Sequence, residues 1–302
     1  MGQTLYWMGQ FMPAQTHLEL SCSLYDPAAY PSHAVFGFCN GVHSLVFSGY
    51  SSWHLGFPDQ GRDRVEQALS LARQLSDPFC LCLALASSSR IDHLRRETIA
   101  ASKFADAMFD LAHEQGFQGF LAMATALRGA ALVAGGDAEE GITQLREGLD
   151  HSAGGFEVMR TEYLGHLAVG YGLVGRVDEG FAALAEAMAL VESTGVCVYE
   201  AELNRLKGEL TLKRPEADSN SKVQEEAETY FRQALKVARL QSAKSWELRA
   251  TMSLARLLAK QGKRDEARAM LAEIYNWFIE GFDTADLNDA KALLDELSTG
   301  IY

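Results

Sequence analysis

One spacing limits what this chain can become. In LARLLAKQGKRDEARAMLAEI, Leu254, Ala255 and Leu258 share a helical face, Gly262 interrupts, and Ala267, Leu271 and Ile274 resume on a second helix. HLAVGYGLVGRVDEGFAALAEA repeats the arrangement with Leu167, Ala168, Tyr171, a turn at Gly175, then Gly180, Leu184 and Ala187. Earlier copies run Gly129, Leu132, Gly136, Gly141, Leu145, Gly148; then Ser88, Ile91, Arg95, Ala100, Phe104, Ala107; then Gly49, Ser52, Gly56, Gly61, Val65, Ala68. Gly208 is followed, after a longer loop, by Ala227, Phe231 and Ala234. The first small positions, Gly49, Ser88, Gly129, Ala168, Gly208 and Ala255, stand 39, 41, 39, 40 and 47 residues apart. Small residues there let two helices approach closely while Leu, Phe or Tyr fills the adjoining hole. Each unit is therefore a helical hairpin that completes its core only against its neighbours.

The rest of the chain agrees. Six prolines in 302 residues, with Ala, Leu, Glu, Gln and Arg in periods of three and four, predict helices almost throughout. Twenty-seven Lys and Arg stand against 40 Asp and Glu, a net charge of -13, which opposes approach to phosphate backbones and anionic lipid and argues against nucleic acid or membrane partners. Cys22, Cys39, Cys80, Cys82 and Cys197 are odd in number and lack a CxxC pair, a pattern that fits a reducing cytoplasm. No apolar run of about 18 residues is long enough to span a bilayer.

The expected organisation is a single repeat domain over 1–302. Residues 1–24 align as an incomplete first hairpin, with Gly2 at the first small position, Gly9 at the turn and Ala14 and Leu18 on the second helix. That alignment suggests an edge cut from a longer architecture, since terminal repeats ordinarily carry a polar cap. Residues 214–222, polar and proline-bearing, read as an exposed loop. Residues 283–298 read as a closing helix, with Asp283 or Thr284 as N-cap and Leu287, Ala290, Leu293, Leu294 and Leu297 along one stripe. Tyr275, Trp277, Phe278 and Phe282 are expected to seat that helix.

The hairpin pattern resembles the tetratricopeptide repeat, whose usual period is about 34 residues. The resemblance implies an all-α, right-handed α-solenoid of tetratricopeptide-like hairpins with a longer period and a C-terminal closing helix. The stretch from EAETYFRQALKVARLQSAKSWELRATMSLARLLAKQGKRDEARAMLAEI to ALLDEL, with YEAELNRLKGEL, LGFPDQG and SLYDPAAY, is similar to the C-terminal repeat region of bacterial multidomain signalling ATPases. The similarity is especially to those fused to class III adenylate or guanylate cyclase domains, in which a STAND-like ATPase precedes the repeats. The resemblance implies a sensory or regulatory scaffold and no enzyme: no GxxxxGK[ST] stretch and no cyclase carboxylate segment is present.

Tetratricopeptide geometry places first-helix residues six before, three before, one after, and four or five after the small position on the concave groove. The binding candidates so selected are His43, Tyr50, Trp53, His54, Asp92 and His93 in the second and third units. Farther along they are Glu202, Arg205, Glu209 and Lys213, then Arg249, Arg256 and Lys260. Aromatic and His-bearing surface suits a peptide or planar ligand. The matched signs of Glu202 with Arg249 and Glu209 with Arg256 predict inter-repeat ion pairs, or else recognition of a partner carboxylate by Arg249 or Arg256. The leading expectation is a scaffold that binds a protein or peptide segment, including ATPase or effector domains such as relatives carry. The alternative is a small-molecule sensor with its ligand near Trp53, His54 and His93. No catalytic, metal or cofactor site is expected. His54 and His93 sit one helix spacing apart, too far for one ion, and Gly170 to Gly175, though spaced as GxGxxG, lies in a helical pattern that the repeat register explains.

Overall fold

A computed structural model describes residues 1–26, 39–151, 157–217 and 220–299. Fifteen helices, and no strand among the described residues, follow one another in pairs. α1 (Gly2–Trp7) pairs with α2 (Phe11–Leu24), α3 (Asn40–His54) with α4 (Pro58–Leu75), and α5 (Pro78–Leu94) with α6 (Thr98–Gln115). Next come α7 (Gln118–Gly135) with α8 (Ala138–His151), α9 (Arg160–Leu173) with α10 (Val177–Thr194), and α11 (Glu200–Thr211) with α12 (Ser221–Leu240). The last pair is α13 (Lys244–Lys260) with α14 (Arg264–Tyr275), and α15 (Ala285–Thr299) lies against both. The chain is an α-solenoid of tetratricopeptide-like hairpins with a closing helix.

The turns explain why the hairpins recur. At Gly9, Gly56, Gly136, Gly175 and Gly262 the backbone enters the left-handed region, φ between 70° and 97°, where a side chain is strained and glycine is not. There the chain closes the first helix with a six-to-one hydrogen bond, such as Phe57 N–H to Ser52 O and Asp137 N–H to Leu132 O. The third hairpin makes the same bond, from Glu97 N–H to Asp92 O, and the residue with positive φ is Arg96, at 64°.

That observation corrects the register of one repeat. Reading Ser88 and Arg95 as the small and turn positions is off by one residue. Ser89 is the small position, its hydroxyl donating to Ala101 O at 2.9 Å, twelve residues on, as Gly49 faces Gly61 and Gly129 faces Gly141. The second helix then buries Ala101, Ala105 and Met108, while Ala100 and Phe104 are half-buried and Ala107 exposed. The spacing becomes a more regular 40, 40, 39, 40 and 47.

The paired helices form two layers. Twelve of the fifteen residues of α3 are buried, against six of the eighteen in α4, so first helices line the inside and second helices the outside. Where layers meet, Gly129 and Gly141 bring backbones together: a Cβ on Gly129 would lie 2.7 Å from Leu145 N and 2.8 Å from Gly141 O.

The solenoid also closes on itself, which its repeats alone do not foretell. Trp53 of α3 packs edge-on against Trp246 of α13, ring centroids 4.8 Å apart, and Ser245 donates its hydroxyl proton to Trp53 O. The carboxylate of Glu280 accepts from the Asp59 and Gln60 amides at 2.9 and 3.0 Å. It thereby caps α4, whose own N-cap, Phe57, offers no side-chain acceptor. Trp277, expected to seat the closing helix, instead lies against Phe57 (centroids 5.5 Å) and Gly56 across this seam. Phe278 is the buried aromatic of that C-terminal group. The short α1 is drawn in as well: Trp7 O accepts from Cys197 N–H at 2.8 Å, and Tyr6 is fully buried against Phe11, Phe47, Tyr50 and His54. One apolar core runs without a break from Tyr6 to Trp246.

Candidate functional site

Closure has shut much of the groove that the concave candidates were expected to line. Tyr50, Trp53, His54, Asp92 and Glu202 are all buried, His54 completely. His54 donates its Nδ1–H to Tyr50 O at 2.8 Å and stacks on Phe11 at 4.2 Å. Burial pulls its pKa down to about 3, so the ring is neutral. Around Trp53 and His54 the space is taken by Trp246 and the Arg249 guanidinium, 5.2 Å from the Trp53 ring, whereas His93 lines a separate cavity of about 330 Å³ with His166, Tyr199, Glu202 and Arg249. His43, half-buried, remains at the N-terminal side.

The register correction moves two assignments. Asp92 no longer falls on a concave position; it lies 3.9 Å from Arg62, and burial raises its carboxyl to about 6 against that cation's pull. His93 becomes the counterpart of Trp53, and Arg90 becomes the counterpart of Tyr50. Arg90 and its partner Glu162 were not among the sequence candidates, although Glu162 stands six before Ala168, a groove position. Together they form the most deeply buried ion pair of the described residues. Arg90 Nε donates to Glu162 Oε2 at 2.7 Å, and Nη2 lies 2.6 Å from the same oxygen; the side chains are 1 % and 3 % exposed. Burial raises a lone carboxyl, but the Arg90 charge prevails and holds Glu162 down to about 2. His166 is 3.8 Å from the same carboxylate and edge-on to His93, centroids 4.3 Å apart. Burial first, then the neighbouring His166, drives the His93 pKa well below its usual range.

Beyond this pair the inner charges form a connected line, though not with the partners expected. Glu202 pairs with Arg205 on its own helix at 2.6 Å, and Arg205 also reaches Glu209 at 3.1 Å. Ser253 of α13 donates to Glu209 at 2.6 Å. Arg249 turns away from Glu202 to Asp286 of α15, at 2.7 Å, and to Leu94 O across the seam. Arg256 makes no ion pair among the described residues and is exposed, as are Lys260 and Lys213. Thus the most exposed part of the concave line is C-terminal: Arg205 and Glu209 are half-buried, as His43 and His93 are, while Arg256 and Lys260 are exposed.

A cavity of about 150 Å³ opens on the N-terminal side of the Arg90 pair, walled by Trp7, Phe47, Tyr50, Phe79 and Phe120. The Arg90 guanidinium forms its polar floor, 4.4 Å from the Tyr50 ring centroid. No group of three or more potential metal ligands occurs among the described residues, and no helix there is long and apolar enough to cross a membrane. Gly175 of the GxGxxG spacing is a hairpin turn after α9, and the preceding glycines lie within that helix.

No family model and no curated protein sequence matches this chain. Solved structures do. The crystal structure of yeast Tom70 superposes with a TM-score of 0.52 at 13% identity, covering 95% of this chain and 58% of that one. Rap protein complexed with Competence and Sporulation Factor gives 0.50 at 13% identity, over 96% and 80%. The P58(IPK) TPR domain aligns over 98% of this chain and 88% of its own at 15% identity, but its TM-score of 0.29 is too low to support an argument. The likeness is one of fold, to TPR-type repeat proteins, and this chain spans little more than half the length of Tom70.

Proposed function

We propose that this chain is a non-catalytic protein-interaction scaffold that holds a partner segment along the C-terminal stretch of its concave face. The observation that carries the reading is the line Arg205, Glu209, Arg256 and Lys260, which is half-buried to exposed while Tyr50, Trp53, His54 and Glu202 of the inner face are buried. A guanidinium such as Arg256 offers two parallel donors to a carboxylate, so the favoured segment is acidic. The fold likeness to Rap, solved with a bound factor, supports a binding role. In the fuller form of this proposal the chain is the regulatory part of a bacterial cytoplasmic signalling system, coupled to ATPase or cyclase domains such as those of the proteins its sequence resembles.

The test is fluorescence anisotropy with a library of labelled twelve-residue peptides bearing paired carboxylates. Arg256→Glu is expected to weaken the best binders at least tenfold, and Lys236→Glu, on the outer layer, to leave them unchanged. Equal loss in both variants, or no peptide bound at all, rejects this surface as the docking site.

A further inference from the structure

We infer that the cavity floored by Arg90 is a binding site for a small, neutral ligand: a benzene-sized apolar group carrying one oxygen acceptor, such as an aromatic amide. Its size is the first argument. A mainly apolar cavity of about 150 Å³ accommodates a benzene-sized molecule; its walls are aromatic rings with Ala86 and Met123 between them, and Gln3, His43 and Ser87 are the polar members of the lining besides Arg90. Two of the rings, Trp7 and Phe79, are themselves partly exposed, so the cavity is reached from solvent past them.

The floor supplies the specificity. Arg90 is 1 % exposed, and while Nε is engaged by Glu162, Nη1 has no hydrogen-bond acceptor. Charge then decides the ligand class. Glu162 already neutralises Arg90, so an entering carboxylate or phosphate would leave an uncompensated negative charge beside Glu162 in a desolvated space. A cation would meet Arg90. A hydrocarbon would leave Nη1 unmatched. A carbonyl or ether oxygen avoids all three. The hydroxyl of Tyr6 feels the Arg90 guanidinium and makes no well-formed hydrogen bond of its own; it is the chain's own competitor for Nη1, and a ligand must outdo it.

This site is separate from the C-terminal stretch proposed to hold a protein segment, and its test uses different probes. Toluene, benzamide and benzoate are titrated into the full chain and followed by calorimetry and thermal shift. Benzamide is expected to bind at least tenfold more tightly than either of the others. Ala86→Leu, which fills the cavity from its wall, is expected to abolish binding while leaving the helical circular dichroism unchanged. The double variant Arg90→Met with Glu162→Met is expected to erase the preference for benzamide over toluene. Benzoate binding best, binding that survives Ala86→Leu, or no binding by any of the three overturns the inference; the last outcome means that Tyr6 closes the site. Should the double variant fail to fold, the probe series and Ala86→Leu still decide.

Discussion

Acidification is expected to loosen this fold, by an amount set by a few buried groups of opposite tendency. His54 is fully buried and neutral, with burial pulling its pKa from 6.5 to about 3. Below 6.5 the unfolded chain takes up a proton that the folded ring refuses, so the stability present above 6.5 is lost as pH falls toward 3. Between pH 7 and pH 5 the linkage relation makes this a loss of about 2 kcal/mol. Half-buried His93 acts in the same direction. Asp92 opposes both. Burial raises its carboxyl from 3.8 to about 6, Arg62 pulling the other way; the folded chain therefore gains a proton near pH 6 while the unfolded chain waits until 3.8. Over the same interval that restores about 1 kcal/mol. Glu162, held near 2, stays ionised throughout. The net loss is about 1 kcal/mol from His54 and Asp92, increased by His93. Urea unfolding at the two pH values, followed by circular dichroism, measures it. His54→Leu is expected to lower the loss by about 2 kcal/mol, and Asp92→Asn to enlarge it by about 1 kcal/mol. An undiminished loss in His54→Leu, or a smaller one in Asp92→Asn, refutes the assignment.

Other perturbations probe the remaining structure. Arg90→Met leaves Glu162 buried and unpaired and is expected to cost about 3 to 5 kcal/mol in urea unfolding, while adding Glu162→Met recovers most of it. Gly129→Ala drives a methyl against the backbone of α8; a loss of about 1 to 3 kcal/mol by thermal or urea unfolding is expected, as for overpacking elsewhere. Glu280→Ala removes the cap that the C-terminal region lends to α4. The expected cost is about 1 kcal/mol, with faster amide exchange at Asp59 and Gln60.

What could be read from the sequence was local. Hairpin units and the closing helix follow from periodicity and turn glycines, because those depend on neighbours a few residues apart. Register slipped where the glycine was missing. Arg96 holds the left-handed turn, and the adjacent runs Ser87-Ser88-Ser89 and Ala100-Ala101 offer two equally small choices. That single step hid Arg90 by assigning its place to Ser89. The closure was illegible for a different reason: it arises from small rotations accumulated over many repeats. Trp277 and Arg249 therefore found partners on α3, α5 and their turns, or on α15, in place of the adjacent repeat. Periodicity nominates residues for the concave face; which of them solvent reaches depends on the closure.

The claim on which the rest depends is that the two ends of the solenoid meet. Four tryptophans, Trp7, Trp53, Trp246 and Trp277, allow selective isotope labelling and a direct NMR measurement of indole-to-indole cross-relaxation. With ring centroids 4.8 Å apart, Trp53 and Trp246 are expected to show a strong cross-peak, assigned by its disappearance in Trp246→Phe. A well-dispersed spectrum of the folded chain without that cross-peak would mean that the solenoid is open, with its aromatic inner face exposed to solvent.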